Sequence, residues 1–356
     1  MALSACVAFS VCWSVVLGQP VPTPPVQPAA ETVIDVQLTP DDWAKKLIAT
    51  PNALPKPEMD AARAAIEPAA AADPANTTLM LARGFLLIAD GKNAEALKLA
   101  REVLKSEPKA SRAWYLAGIG SFNLAQNAPT LDKMGLADDG KEATLKAVEL
   151  DPTFVDARMS LGMFYVMAPG IAGGSNRKAT EQAKAMLELP GGAFDGHSLL
   201  ALVAADKEEW EEMSAQYQAA TNAAETRQER ISSILSHARQ ILNKKEDPAA
   251  AISTAKQALA LAENDREKSA CHFLFAEAKR AQKDRAGAIE DYRFVLKTNP
   301  EAANSRWYLA ELLAQAKQYA EAAEQYEEFA KRFPKDERAE DASSKGKAMR
   351  KKAKQP

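Results

Sequence analysis

The chain has 356 residues, and its composition favours an elongated array over compact mixed domains: 47% of residues are apolar, only 6% are aromatic, and alanine is dense throughout. With 45 basic against 48 acidic residues, a net charge of −3, it carries no general field for nucleic acid or an anionic membrane, so any charged site must be local. Cys6 and Cys12 lie in the first apolar stretch and Cys271 stands alone far downstream. This excludes a disulfide framework and leaves stability to packed helices.

From Ala2 to Leu17 there is no charge, and Gly18 supplies the small residue that a signal peptidase favours. Residues 1–18 therefore read as a signal peptide, or, because no basic residues precede the apolar run, as an uncleaved N-terminal anchor. Either way the chain is expected to be exported, to the periplasm or cell envelope, with membrane contact only through this segment. Residues 19–38 hold Pro20, Pro22, Pro24, Pro25 and Pro28, which fix φ and remove donors, and are expected to form a tether.

At Thr39-Pro40-Asp41-Asp42 a helix should begin, with Thr39 as cap and two acids at the positive end of the dipole. It runs through Trp43 and Leu47 and stops near Pro51. A second helix from Glu58 is expected to break or bend at Pro68 and to close at Asp73-Pro74. Ala62, Ile66 and Ala69 keep helical spacing, so residues 39–76 read as a worn helical pair.

From Thr77 the spacing is clearer. Met80, Gly84, Leu87, Ala96, Ala100, Val103 and Pro108 make one unit; Trp114, Gly118, Ala147 and Pro152 make the next. The second is longer, and the excess is assigned to a polar loop between Ala128 and Lys141, marked by Pro129 and Gly135. A third unit, with Leu161, Gly162, Tyr165, Ala179, Ala183 and Met186, has an enlarged turn from Ala168 to Ser175. Later units begin near Phe194, Ser232 and Ser269. The last spans Ala303 to Pro334, ANSRWYLAELLAQAKQYAEAAEQYEEFAKRFP, where Leu309, Ala310 and Leu313 share one face and Ala322, Tyr326 and Phe329 another. Residues 336–356 are polar and should form a closing helix with a basic tail.

This rhythm of small residue, large residue and closing proline resembles the tetratricopeptide repeat, a helix-turn-helix unit of about 34 residues. The resemblance implies an all-α, right-handed superhelical solenoid, with seven repeats over residues 77–335. It also implies a protein-interaction scaffold without catalysis or cofactor. Its groove would be walled by the second, fifth, ninth and twelfth places of each first helix.

Carried over, that wall is Leu81, Phe85 and Ile88, then Tyr115, Ile119 and Phe122, then Met159, Met163 and Val166, with Met167 beside them. So apolar a concave face marks a binding site for a peptide or partner helix, or, alternatively, for an apolar small molecule or lipid; methionines suit varied partners. The alternative occupant is the chain's own Trp43 and Leu47. The family's chaperone-binding members hold a carboxylate with basic residues at these places, and none stands here.

For catalysis the sequence offers little. Cys271 and His272 are neighbours, about 100° apart on a helix, which is poor geometry for a nucleophile and its base. No metal-ligand spacing is present. The enlarged turn offers a candidate anion site, where Ser175 opens a helix and Arg177 and Lys178 follow.

Overall fold

A computed structural model describes residues 38–49, 54 and 56–354. The expected signal segment and the expected tether, up to residue 37, lie outside the described residues. Every element described is helical, and no strand occurs among the described residues. The chain is an all-α helical-repeat solenoid, and its helices are α1 (Pro40–Ala49), α2 (Lys56–Ala72), α3 (Thr77–Ala89), α4 (Asn93–Ser106), α5 (Ser111–Asn127), α6 (Thr130–Leu150), α7 (Val155–Met167), α8 (Asn176–Leu187) and α9 (Ala193–Asp206). There follow α10 (Trp210–Ala223), α11 (Arg227–Asn243), α12 (Pro248–Leu261), α13 (Asp265–Ala281), α14 (Arg285–Thr298), α15 (Ala303–Gln315), α16 (Tyr319–Arg332) and α17 (Ala339–Lys352). They fall into two compact units, whose described residues are 38–203 and 204–354, so the boundary lies within α9.

In the first unit α1 to α8 make four consecutive helical pairs. Thr39 and Asp42 cap α1 reciprocally: the Asp42 amide donates to Thr39 Oγ1 at 3.2 Å, and the Thr39 amide to Asp42 Oδ2 at 3.1 Å. Trp43, Ala44 and Leu47 are buried in the same core as Leu81 and Phe85. A close approach of α3 and α5 depends on Gly84, where a Cβ would overlap a methyl of the buried Leu116. One expectation needs correction here: in place of the expected polar loop between Ala128 and Lys141, residues from Thr130 onward belong to one long helix, α6. Of the two outcomes expected at Pro68, a break does not occur, since α2 continues to Ala72. The enlarged turn is real: Ala168 is extended, Gly170–Ala172 form a 3₁₀ turn, and Gly173 takes φ 92°.

The second unit repeats the plan with α11/α12, α13/α14 and α15/α16, and α17 closes its end. There Trp307 meets Tyr326 and Phe329 edge-on, with centroids 5.6 and 5.4 Å away. Lys345 of α17 lies 4.5 Å from the Trp307 ring centroid, and Arg338, just before α17, 5.4 Å from it, so the closing helix covers an aromatic core with cations.

Successive pairs are joined by a recurring hydrogen bond. Trp114 Nε1 donates to the Pro108 carbonyl at 2.9 Å, Arg158 Nε to Pro152 at 2.7 Å and Arg306 Nη2 to Pro300 at 2.8 Å. In each case the donor stands on the first turn of a new helix and the acceptor in the turn just before it. Carbonyls beyond a helix end have no partner in the ladder, and this side chain supplies one. Trp and Arg share the place because both carry an N–H on a long, flat side chain.

Candidate functional site

The ten residues of the expected wall all belong to the first unit, and its helices bring them together. As an open apolar groove, however, the wall needs correction. Leu81, Phe85, Tyr115, Ile119, Phe122 and Met163 are buried, and only Ile88, Met159, Val166 and Met167 keep part of their surface. Neighbouring rings account for the closure. Phe85 lies 6.2 Å from Tyr115, Tyr115 meets Phe154 edge-on at 4.8 Å, and Phe122 stacks on Phe164 at 5.7 Å. Arg112 covers the Phe154 ring at 3.4 Å while paired to Asp151 at 2.6 Å. Six wall residues are thus packed core, the floor, and the other four, the rim, keep part of their surface, with Ile88 and Val166 against the core of Leu81 and Phe85 and Met159 against that of Ala183, Met186 and Leu199.

At the expected anion turn five backbone donors are already used. The amides of Ala172, Gly173 and Gly174 donate within the turn, and that of Ser175 donates to the Tyr165 carbonyl at 2.7 Å. Ser175 Oγ caps α8 by accepting from the Lys178 amide at 3.3 Å. Of the two cations, Arg177 pairs with Glu181, and Lys178 lies 5.4 Å from the Tyr165 ring centroid. Ser175, Arg177 and Lys178 are accounted for as a capped turn.

Cys271 is buried, and desolvation, with the Glu267 charge as a second cause, pushes its thiol up to about 11. A thiol held in that range supplies almost no thiolate near neutrality. His272 faces elsewhere: its Nδ1 lies 2.7 Å from Asp291 Oδ1, and its ring stacks on Phe294 at 4.1 Å. The third member of this group, Lys279, reaches Asp291 Oδ2 at 2.7 Å, so one buried carboxylate ties two places on α13 to α14.

On α11, His237 stacks on Tyr217 at 5.1 Å and lies 3.1 Å from Ser214 Oγ. Burial, then the Lys245 charge, lowers its pKa from the ordinary 6.5. Between that lowered value and 6.5 the unfolded chain binds the proton more readily, so stability rises with pH through this window and is lost as pH falls. Replacing His237 by Gln should therefore make the thermal midpoint less sensitive between about pH 7.5 and 5.5. Parallel profiles of wild type and variant would show that His237 contributes nothing.

A hollow that the sequence reading did not single out lies in the second unit, between α13 and α15. Its lining is Arg280, Lys283, Arg285, Tyr308, Glu311, Leu312 and Gln315, and its volume is about 360 Å³. In the sequence Lys283 and Arg285 carry no signal of a site; the fold sets them beside Tyr308. Arg280 sits 4.3 Å from the Tyr308 ring centroid and pairs with Glu277 at 2.8 Å, and Glu277 in turn accepts a hydrogen bond from the Tyr292 hydroxyl.

The sequence pattern of the tetratricopeptide-repeat family matches residues 81–119 and 273–337, the stretches that form α3 to α5 and α13 to α16. Solved tetratricopeptide folds align far beyond them. These two stretches of the chain carry tetratricopeptide repeats. Yeast Tom70 aligns over 98% of this chain and 70% of its own, with a TM-score of 0.63 at 14% identity. A tetratricopeptide-repeat protein from Parabacteroides merdae aligns over 76% of this chain and 99% of its own, with TM-score 0.53 and 14% identity. Cut9, in the Cut9–Hcn1 hetero-tetramer of the APC/C, gives 86%, 55%, 0.50 and 17%. At these identities the likeness concerns the tetratricopeptide fold alone. No curated protein matches the sequence.

Proposed function

We propose that this protein is a non-catalytic scaffold of the cell envelope that holds a peptide or partner helix on the first unit. The carrying observation is that Ile88, Met159, Val166 and Met167 stay part-exposed in a unit where the other six wall residues are buried. A rigid apolar floor with adaptable side chains at its edge suits burial of a partner's apolar face. Burying each rim side chain fully contributes at most about 1.5–3 kcal/mol before ordering costs, so a few suffice for micromolar affinity. Tetratricopeptide-repeat proteins generally hold protein partners, which favours this occupant over a lipid or apolar small molecule.

Charge on the rim tests the reading without disturbing the floor. Ile88→Glu with Met167→Glu should abolish capture of the cross-linked partner from envelope extracts while leaving the helical circular dichroism unchanged. Unchanged capture would remove the rim from the function. Lipid seen by native mass spectrometry, and lost with the same substitutions, would establish the carrier instead. Export rests on the uncharged stretch in residues 1–18. N-terminal sequencing of envelope-fraction protein should find a start after Gly18, or an intact N-terminus that sediments with membrane; recovery in the cytosol alone would refute it.

A further inference from the structure

The hollow between α13 and α15 has an unbalanced charge. Lys283 and Arg285 are exposed and have no acidic partner among the described residues. Arg280 is neutralised by Glu277, 2.8 Å away. Glu311, the one carboxylate in the lining, is loosely paired: Lys345 lies 3.9 Å from it and 2.9 Å from Asp341. Asp284, between the two free cations in sequence, turns its carboxylate to the start of α14 and accepts from the Gly287 amide at 3.0 Å. Two exposed cations against one loosely paired carboxylate leave net positive charge at the mouth of a hollow whose walls are the Tyr308 ring, Leu312 and the Gln315 amide.

Each part of this lining selects for something. Uncompensated cations at a concave site attract and orient an anion, and a guanidinium presents a fork that matches a carboxylate. Arg280 is held in place by Glu277 and the Tyr308 ring, so that wall is set before any ligand arrives. Tyr308 and Leu312 offer apolar contact beside the charge. About 360 Å³ exceeds what a lone carboxylate or phosphate fills and suits a short run of side chains.

We propose that this hollow binds an acidic segment of a polypeptide partner, with carboxylates on Lys283 and Arg285 and a neighbouring apolar side chain on Tyr308 and Leu312. The site lies in the second unit, apart from the residues of the rim. It rests on the scaffold reading only in taking a polypeptide as its ligand.

The full chain can be titrated with a fluorescein-labelled hexapeptide of alternating glutamate and phenylalanine, read by anisotropy. Saturable binding is expected, weakening several-fold between about 50 and 300 mM salt, and at least tenfold weaker for the counterpart with glutamine in place of glutamate. Lys283→Glu with Arg285→Glu should cost at least tenfold in affinity. That reversal is compatible with the turn, because Lys283 adopts φ 64° and glutamates hold the same left-handed conformation at Glu208, φ 60°, and Glu246, φ 56°. Lys256→Glu, an exposed reversal on α12, controls for net charge and should leave affinity unchanged.

Equal binding of both peptides, equal loss in the Lys256 control, or no binding by the wild type would each overturn the proposal. Full competition by free glutarate or inorganic phosphate at micromolar concentration would also overturn it, since the site would then be a small-anion pocket. The two proposals fail separately. Partner capture that survives the Lys283 and Arg285 reversals but not the rim substitutions leaves the scaffold standing without the hollow.

Discussion

Tyr115→Ala should be the most damaging single truncation in the first unit, costing about 3–5 kcal/mol by the usual cost of deleting a buried aromatic ring. Tyr115 is fully buried and stands between Phe85 of the preceding helical pair and Phe154 of the following one. Its removal opens a void that rigid neighbouring rings cannot close, and it unlinks three successive pairs at once. Because stability in a repeat array is approximately a sum of unit and interface terms, the loss should be local. Hydrogen exchange is expected to speed up in α3 to α7 and to remain near wild-type rates in α13 to α16. Uniform acceleration along the whole chain, or a loss under about 1 kcal/mol, would contradict this account.

The second large effect is expected at Asp291, which is 5% exposed, hydrogen-bonds His272 Nδ1 through Oδ1 at 2.7 Å and forms an ion pair with Lys279 through Oδ2 at 2.7 Å. Asp291→Ala strands an ammonium and an imidazole against each other. Both side chains retain about a quarter of their surface and can turn partly to water, which reduces the cost below that of a fully buried pair. About 2 kcal/mol is expected in chemical denaturation of the second unit. The double variant Asp291→Ala with Lys279→Met should recover part of this loss, because no charge is then left unpaired. If the double variant is as unstable as the sum of the single ones, the pair is not coupled and the geometry is incidental.

Much of the fold was legible because the repeat writes its packing as spacing. Ala310, Ala322 and Phe329 fall where helices of neighbouring layers touch, and all three are buried. The misreadings came from treating residues as signals without their position. Pro129 and Gly135 suggested a loop, yet Pro129 stands just before the first residue of α6, where its missing N–H breaks no ladder bond. A glycine within a long helix costs only about 1 kcal/mol. The groove was misread for another reason. Wall places inferred from spacing specify a direction, whereas Phe85, Tyr115 and Phe154 are bulky enough to close on one another, and only contacts in space reveal that. That Lys283, Arg285 and Tyr308 border one hollow was illegible because its two sides come from different repeats and carry no joint pattern along the chain.

The hydrogen bond from the first turn of a helix back to the preceding proline carbonyl has a consequence for how such a chain changes over time. It spans residues 107–110, 151–154 and 299–302, the connections on one side of each repeat, and in all three the bond closes over the same stretch of backbone. The extended α6 and the long turn after Met167 lie instead at the connection inside a repeat. Variation in length is thereby quarantined at hairpin tips, where an insertion can be gained, lost or elaborated without shifting the register of any unit that follows.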